Sequence, residues 1–232
     1  MKTLIGLLLA GKLGQVMLSG GSMLVSIFAY AMIYGWKYAV GFVAMLFAHE
    51  SGHFLAARQR GLKVGAPTFI PFVGAWINLK EQPMNAETEA YVGIAGPMLG
   101  SAAAFLCFVA GLESSSRLLL AIAYAGFFLN LFNLIPLTPL DGGRIVAAIS
   151  PKIWLLGAPM LVALFLWKPS PLLLLIAIFA APQVWRVIRN RDALDPGYYE
   201  TPLPVRIQYT TQYLLLTGFL AVMAYDVHQR LS

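Results

Sequence analysis

Residues 38–58 read YAVGFVAMLFAHESGHFLAAR, and they pose the question on which the whole chain turns. The run has the apolar character of a membrane-spanning helix, yet His49, Glu50 and His53 stand inside it. An acid at the centre of a span costs about 2.5–3.5 kcal/mol, so these side chains need partners or a wet cavity. On a helix His49 and His53 lie one turn apart on one face, roughly 6 Å along the axis, where both imidazoles can reach one metal ion. Glu50, beside the first of them, can take a proton from a metal-activated water without binding the metal itself. This is the H-E-x-x-H arrangement of zinc hydrolases. A structural hydrogen-bond network, or one step of a proton path, would use the same three residues, and the spacing alone leaves these alternatives open.

The composition says what surrounds the motif. Of 232 residues 59% are hydrophobic and 11% charged, and the apolar residues come in long blocks. That is the profile of an all-α polytopic membrane protein. A soluble domain would need far more polar surface, and a transmembrane barrel would show short alternating segments. The formal net charge of +6 does not form one patch. The basic residues sit at the ends of apolar blocks, as topology determinants do, and no nucleic-acid partner is expected. The single cysteine, Cys107, lies in an apolar block, which excludes an intrachain disulfide and says nothing of redox compartment. Residues 1–14, MKTLIGLLLAGKLG, begin like a signal peptide, but Lys12 interrupts the run and no small-residue cleavage site follows. They read as a retained interfacial segment.

Apolar spans are expected near Val16–Tyr34, Tyr38–Ala57, Ala90–Gly111, Leu118–Ile135, Ile153–Leu166, Pro171–Ile188 and Tyr209–Tyr225. The fifth is short, and the WKPSP turn after it could be re-entrant, so six or seven transmembrane helices fit. With seven spans and the N-terminus in the cytoplasm, twelve basic residues fall inside, from Lys2 and Lys12 through Arg58, Arg60 and Arg144 to Arg206. Four, namely Lys37, Arg117, Lys168 and Arg230, fall outside. The imbalance favours that orientation. The chain is expected to be a single integral membrane domain. Within it, residues 1–36 form the N-terminal segment and first span, 37–150 a core, and 151–232 additional spans.

Residues 64–83, VGAPTFIPFVGAWINLKEQP, are too interrupted by Pro67, Pro71 and Gly74 to form a helix. Their β-prone residues suggest a hairpin-like loop dipping into the membrane edge, or an ordinary interfacial loop with apolar anchors. Exposed backbone does not survive in lipid, so a dipping loop must be covered by protein or line a wet cavity.

A catalytic zinc usually takes a third protein ligand. The candidate is Asp141, in residues 130–144, NLFNLIPLTPLDGGR. Pro136 and Pro139 must break the fourth span ahead of it, and Gly142 and Gly143 let the backbone approach another element. Asp141 could equally cap the short helix that follows, and the two roles are compatible. His49 stands nine residues before Arg58, roughly 13 Å along a helix. The broken fourth span returns to the same side, so both halves are expected in the cytoplasmic part of the membrane.

Assembled in this way, the chain resembles the site-2 protease family of M50-type intramembrane zinc metalloproteases. The resemblance rests on HESGH at residues 49–53, GIAGPMLG at 93–100 and NLIPLTPLDGG at 133–143. It covers roughly residues 38–150, a three-helix core. It implies that His49, His53 and Asp141 bind zinc (Zn2+), that Glu50 is the catalytic general base, and that Asn133 holds the substrate carbonyl or its oxyanion. The alternative for Asn133 is an interhelical hydrogen bond; Asn130, one turn earlier, shares that ambiguity and is left out of the site. Gly93, Gly96 and Gly100 read as a close-packing face with no chemical part.

The resemblance also implies a membrane-protein substrate in the lipid bilayer. That substrate would be bound as an extended strand beside the loop at Thr68–Leu79 and cut within or near its transmembrane segment. A short form without the PDZ or CBS domains of many relatives is expected, in the plasma membrane. No role is read for the last three spans, and oligomeric state is not legible. The competing functions are an ion- or proton-coupled transporter using the same residues as a relay, and a catalytically silent relative that binds clients. Transporters usually show repeated halves, which this chain lacks, and a silent binder has no need of Glu50.

Overall fold

The computed structural model describes residues 2–65, 67–72, 74–76, 83–189 and 196–232. Helix α1 (Lys2–Tyr34) turns into α2 (Trp36–Gln59) at Gly35, whose φ of 84° a residue with a side chain adopts only with strain. A small antiparallel pair follows, β1 (Thr68–Ile70) with β2 (Gly74–Trp76), in register Phe69 opposite Ala75. Helix α3 (Ala86–Glu113) is capped by Asn85, whose side chain accepts from the Thr88 N–H, with Glu87 and Glu89 in its first turn. Both features favour the helix N-terminus. Helix α4 (Arg117–Asn133) is capped in the same way by Ser116.

An irregular stretch then leads into the short α5 (Asp141–Ile149). A 3₁₀ turn at Pro151–Ile153 precedes α6 (Trp154–Trp167), α7 (Pro171–Arg189), α8 (Pro196–Tyr199) and α9 (Leu203–Leu231).

The chain is a mostly helical, polytopic membrane protein. Among the described residues four helices are long and apolar enough to cross a bilayer, namely α1 from Met17 onward, α2, α3 and α7. Large apolar side chains face outward on them, among them Leu24, Phe28, Leu106 and Phe179. In lipid such faces cost nothing, so the helices are held instead by close packing and interhelical hydrogen bonds.

Five of the expected spans fall within one helix each, and the fifth overlaps α6 except for Ile153, which lies in the 3₁₀ turn. The fourth ends at Asn133 rather than Ile135, because the residue before Pro136 is pushed out of helical geometry. One uninterrupted helix runs from Lys2 to Tyr34, and its apolar span begins at Met17. Of the loop expected at Thr68–Leu79, the two strands are present, and residues 77–79 lie outside the described residues.

Helix α3 is the pivot of the arrangement. It packs against α2, α4 and α5, and α9 closes over α4 and α5 from the other side. Met45, Ile94, Phe127, Ile145 and Leu220, from five different helices, share one buried cluster. A second cluster joins Leu137, Val146 and Trp154 to Leu173 and Ile176 of α7. A third ties Tyr30 and Val43 to Phe69 of β1, so the hairpin is seated on α1 and α2.

Candidate metal centre

Helix α2 turns its polar face toward α3, and the first residue of α5 meets it there. His49, Glu50, His53 and Asp141 are all buried, at 3–7% exposure. His49 Nε2 and His53 Nε2 stand 3.1 Å apart. Asp141 Oδ2 lies 3.1 Å from the first and 3.2 Å from the second. Four ligands around zinc at about 2.0–2.1 Å would be about 3.3 Å from one another, so this triangle has the dimensions of three corners of a tetrahedral site.

The hydrogen bonds behind the triangle decide what it can hold. Asn130 is fully buried, and its Nδ2 donates to the Gly126 carbonyl at 2.7 Å. Its Oδ1 is therefore the atom that faces His49 Nδ1 at 2.8 Å, and an oxygen there can only accept. His53 Nδ1 faces the Val92 carbonyl at 2.7 Å, which also only accepts. Both Nδ1 atoms thus carry the proton, and in the neutral rings both Nε2 lone pairs point at each other and at a carboxylate. Three mutually repelling acceptors at hydrogen-bond distance need a positive centre among them. One proton bridges two atoms, whereas one cation satisfies all three. His49, His53 and Asp141 accordingly form a group able to hold a metal ion.

Asp141 is not a helix cap: Leu140 occupies that position without a side-chain capping bond, and the Asp141 carboxylate turns to the imidazoles. Asn133 donates one amide N–H to the Leu129 carbonyl in its own helix at 3.1 Å and lies outside the group of His49, His53 and Asp141. Asn130 takes the contact with the centre instead. The available signal was that it is the more deeply set polar residue of the pair, one turn further from the helix break.

Gly96 and Gly100 do form a close-packing face, and what packs on it belongs to the centre. A Cβ on Gly96 would overlap the His53 imidazole, and one on Gly100 would overlap the Asn130 amide. The glycine face of α3 is the wall against which His53 and Asn130, the support of His49, are set.

Glu50 is buried, yet it makes no hydrogen bond or ion pair among the described residues. It lies within electrostatic reach of His49, His53, Asp141 and Arg144. A desolvated carboxylate beside a cation site, with its lone pairs unspent, is placed to receive a proton from a molecule that enters the site.

A sequence model of peptidase family M50 matches residues 37–116 and 110–156, just over half of the chain. Among curated proteins the chain is similar to the zinc metalloprotease MJ0392 of Methanocaldococcus jannaschii. The two are 31% identical over 109 residues, which is 45% of this chain and 31% of that protein. It is similar also to the putative zinc metalloprotease Rip3 of Mycobacterium tuberculosis, 35% identical over 117 residues, or 47% of this chain and 30% of that one. The chain thus spans under a third of the length of these relatives. The solved structure of a site-2 protease from Methanocaldococcus jannaschii superposes with a TM-score of 0.50 at 24% identity, over 69% of this chain and 85% of that one. At that identity the likeness shows the fold.

Proposed function

Because the chain belongs to peptidase family M50, we propose that it is an intramembrane zinc metalloprotease that cuts peptide bonds in or near the transmembrane segments of other membrane proteins. In this reading His49, His53 and Asp141 hold zinc through Nε2, Nε2 and Oδ2. Bound there, zinc supplies Lewis acidity toward a water and toward the scissile carbonyl. Glu50 takes the water's proton on its carboxylate and delivers it to the leaving amine. Asn130 and the Val92 carbonyl keep the two imidazoles in the tautomer that presents Nε2. The Asn133 amide donates one N–H to the Leu129 carbonyl, and its second N–H remains for a substrate carbonyl.

A transmembrane helix hides its peptide bonds, so the substrate must enter extended. The hairpin is the natural bed for such a strand. The outer edge of β1 faces α1: the Phe69 N–H donates to Ser22 Oγ at 3.0 Å, and in the turn after the strand the Phe72 N–H donates to Tyr30 Oη at 3.0 Å. A substrate strand would therefore add on the β2 side.

Seven spans are proposed, with α4, α6 and α9 crossing as well, the N-terminus in the cytoplasm and the centre toward that side of the plasma membrane. Residues 37–150 form the catalytic core and 151–232 add spans around it.

The observation that carries the reading is the triangle of acceptors at 3.1–3.2 Å with a bare carboxylate beside it. A proton relay would string its groups along a path, whereas these converge on one point. The test is the zinc content, by elemental mass spectrometry, of detergent-purified protein as wild type, His53→Ala and Asp141→Ala. About one zinc per chain, lost in both variants, is the expected result for a three-ligand site. Folded wild type without zinc would return these residues to the relay.

A further inference from the structure

The family match ends at residue 156, so α7 and α9 lie outside it and α6 nearly so. Each of these helices nevertheless places a side chain on the stretch that carries Asp141. Tyr213 of α9 donates its hydroxyl to the Leu134 carbonyl at 2.5 Å. Trp154, at the start of α6 and 1% exposed, donates Nε1–H to the Gly143 carbonyl at 2.8 Å. The Thr138 hydroxyl donates to Oε1 of Gln183 on α7.

The stretch from Leu134 to Leu140 has no helical ladder of its own, and the Leu134 carbonyl is an orphan at the end of α4. Left unpaired at membrane depth it would be costly, so it needs a donor from somewhere. Where that donor acts is what matters. The Leu134 carbonyl lies against Gly142, where any Cβ would overlap it, so fixing this carbonyl fixes the backbone next to Asp141. Thr138 and Gly143 lie on either side of Asp141 within three residues. Metal–ligand distances tolerate about 0.2 Å, and a carboxylate on an irregular stretch does not hold such a position unaided.

We infer that the spans after the core act as a clamp that presents Asp141, with Tyr213, Trp154 and Gln183 as positioning residues. The inference rests on Asp141 being a metal ligand. Tyr209, one turn before Tyr213 on α9, supplies the control, since its hydroxyl goes to the Glu87 carbonyl at 3.4 Å, away from the centre.

The experiment is a Co2+ titration of metal-free, detergent-purified full-length protein, following the visible absorption that reports ligand number and symmetry. The clamp expects Tyr213→Phe to bind Co2+ about 10-fold or more weakly with an altered band, the scale of losses when outer-shell partners of a metal site are removed. Tyr209→Phe should stay within about 2-fold of wild type, and Tyr213→Phe should add nothing in an Asp141→Ala background, because a loss routed through Asp141 cannot occur twice. Thr138→Val, which removes one hydroxyl at equal size, serves in the same scheme if Tyr213→Phe does not fold.

Equal affinities for Tyr213→Phe and Tyr209→Phe, or an undiminished effect of Tyr213→Phe without Asp141, would overturn the clamp and leave the metal reading standing. Wild type that binds no Co2+, or Asp141→Ala that binds as well as wild type, would overturn both.

Discussion

Gly96→Ala isolates the geometry of the centre in a single methyl group. Replacing glycine by alanine inside a helix is favourable by about 1 kcal/mol on propensity alone. Gly218 in α9 has nothing within 4 Å of its would-be Cβ, so Gly218→Ala should show that effect undisturbed. At Gly96 the new methyl falls on the His53 ring; even Cδ2, the most distant of the three ring atoms it meets, would be 2.7 Å away. Carbon contacts settle at about 3.5–4.0 Å, so the ring must recede by about 1 Å.

For the fold that is ordinary overpacking, about 1–3 kcal/mol, partly offset by propensity. For the metal it is several times the 0.2 Å or so that a coordinate bond tolerates. The two readouts should therefore separate. Gly96→Ala is expected to keep its helix content and most of its thermal stability while binding zinc at least about 100-fold more weakly, the upper end of losses from outer-shell damage. Competition against a chromophoric chelator in detergent, with Gly218→Ala alongside, measures this. Zinc binding by Gly96→Ala within a few-fold of the control would refute the argument that α3 is the wall of the centre.

Glu50→Gln should retain zinc and lose about 10²–10⁴ in the rate of cleavage of a bilayer-inserted peptide, the usual scale for a lost general base; equal rates would remove Glu50 from the chemistry. Asn130→Leu should weaken zinc binding about 10–100-fold, and Asn130→Asp, which keeps an acceptor toward His49 Nδ1, should recover part of that; indistinguishable affinities for the two would show that the tautomer lock is not what matters. Outside the spans, the Tyr198 phenol donates to Glu89 Oε2 at 2.8 Å, and burial, with Glu89 second, holds it above the ordinary tyrosine range. Its stabilisation is present in full below about pH 10 and falls as pH climbs toward the raised value, so the melting-temperature gap between wild type and Tyr198→Phe should narrow above about pH 10; a gap that widens there would contradict the assignment.

What the sequence discloses about this molecule follows from which constraints are local. Three polar residues within one turn of an apolar run are visible because hydrocarbon makes each of them costly. Asp141 is visible because two prolines and two glycines around it cannot be an ordinary span. His49, His53 and Asp141 do meet in the structure, with Glu50 beside them. Asn130 and Asn133 could not be told apart, because which of them faces α2 depends on the rotation of α4, and an amide fits either a site or a helix–helix contact. The glycines of α3 were legible as a close-packing face, but what they pack against is fixed by α2 and α4 together. The last helices gave no functional signal at all: Tyr213 and Gln183 are ordinary residues until folding sets them against carbonyls far away in the chain.

The distribution of these residues along the chain has a bearing on how the molecule is made. Asp141 is synthesised about 90 residues after His53, and Tyr213 about 70 residues later still. At about 5–20 residues per second, roughly 4–18 s separate the insertion of the two imidazoles from the arrival of the carboxylate, with a similar wait for the last helix. Throughout that interval the nascent chain, lying among the membrane proteins of its own insertion machinery, holds only a part of the centre. Dividing the donors between distant helices leaves the two imidazoles without their carboxylate partner until α5 has been made.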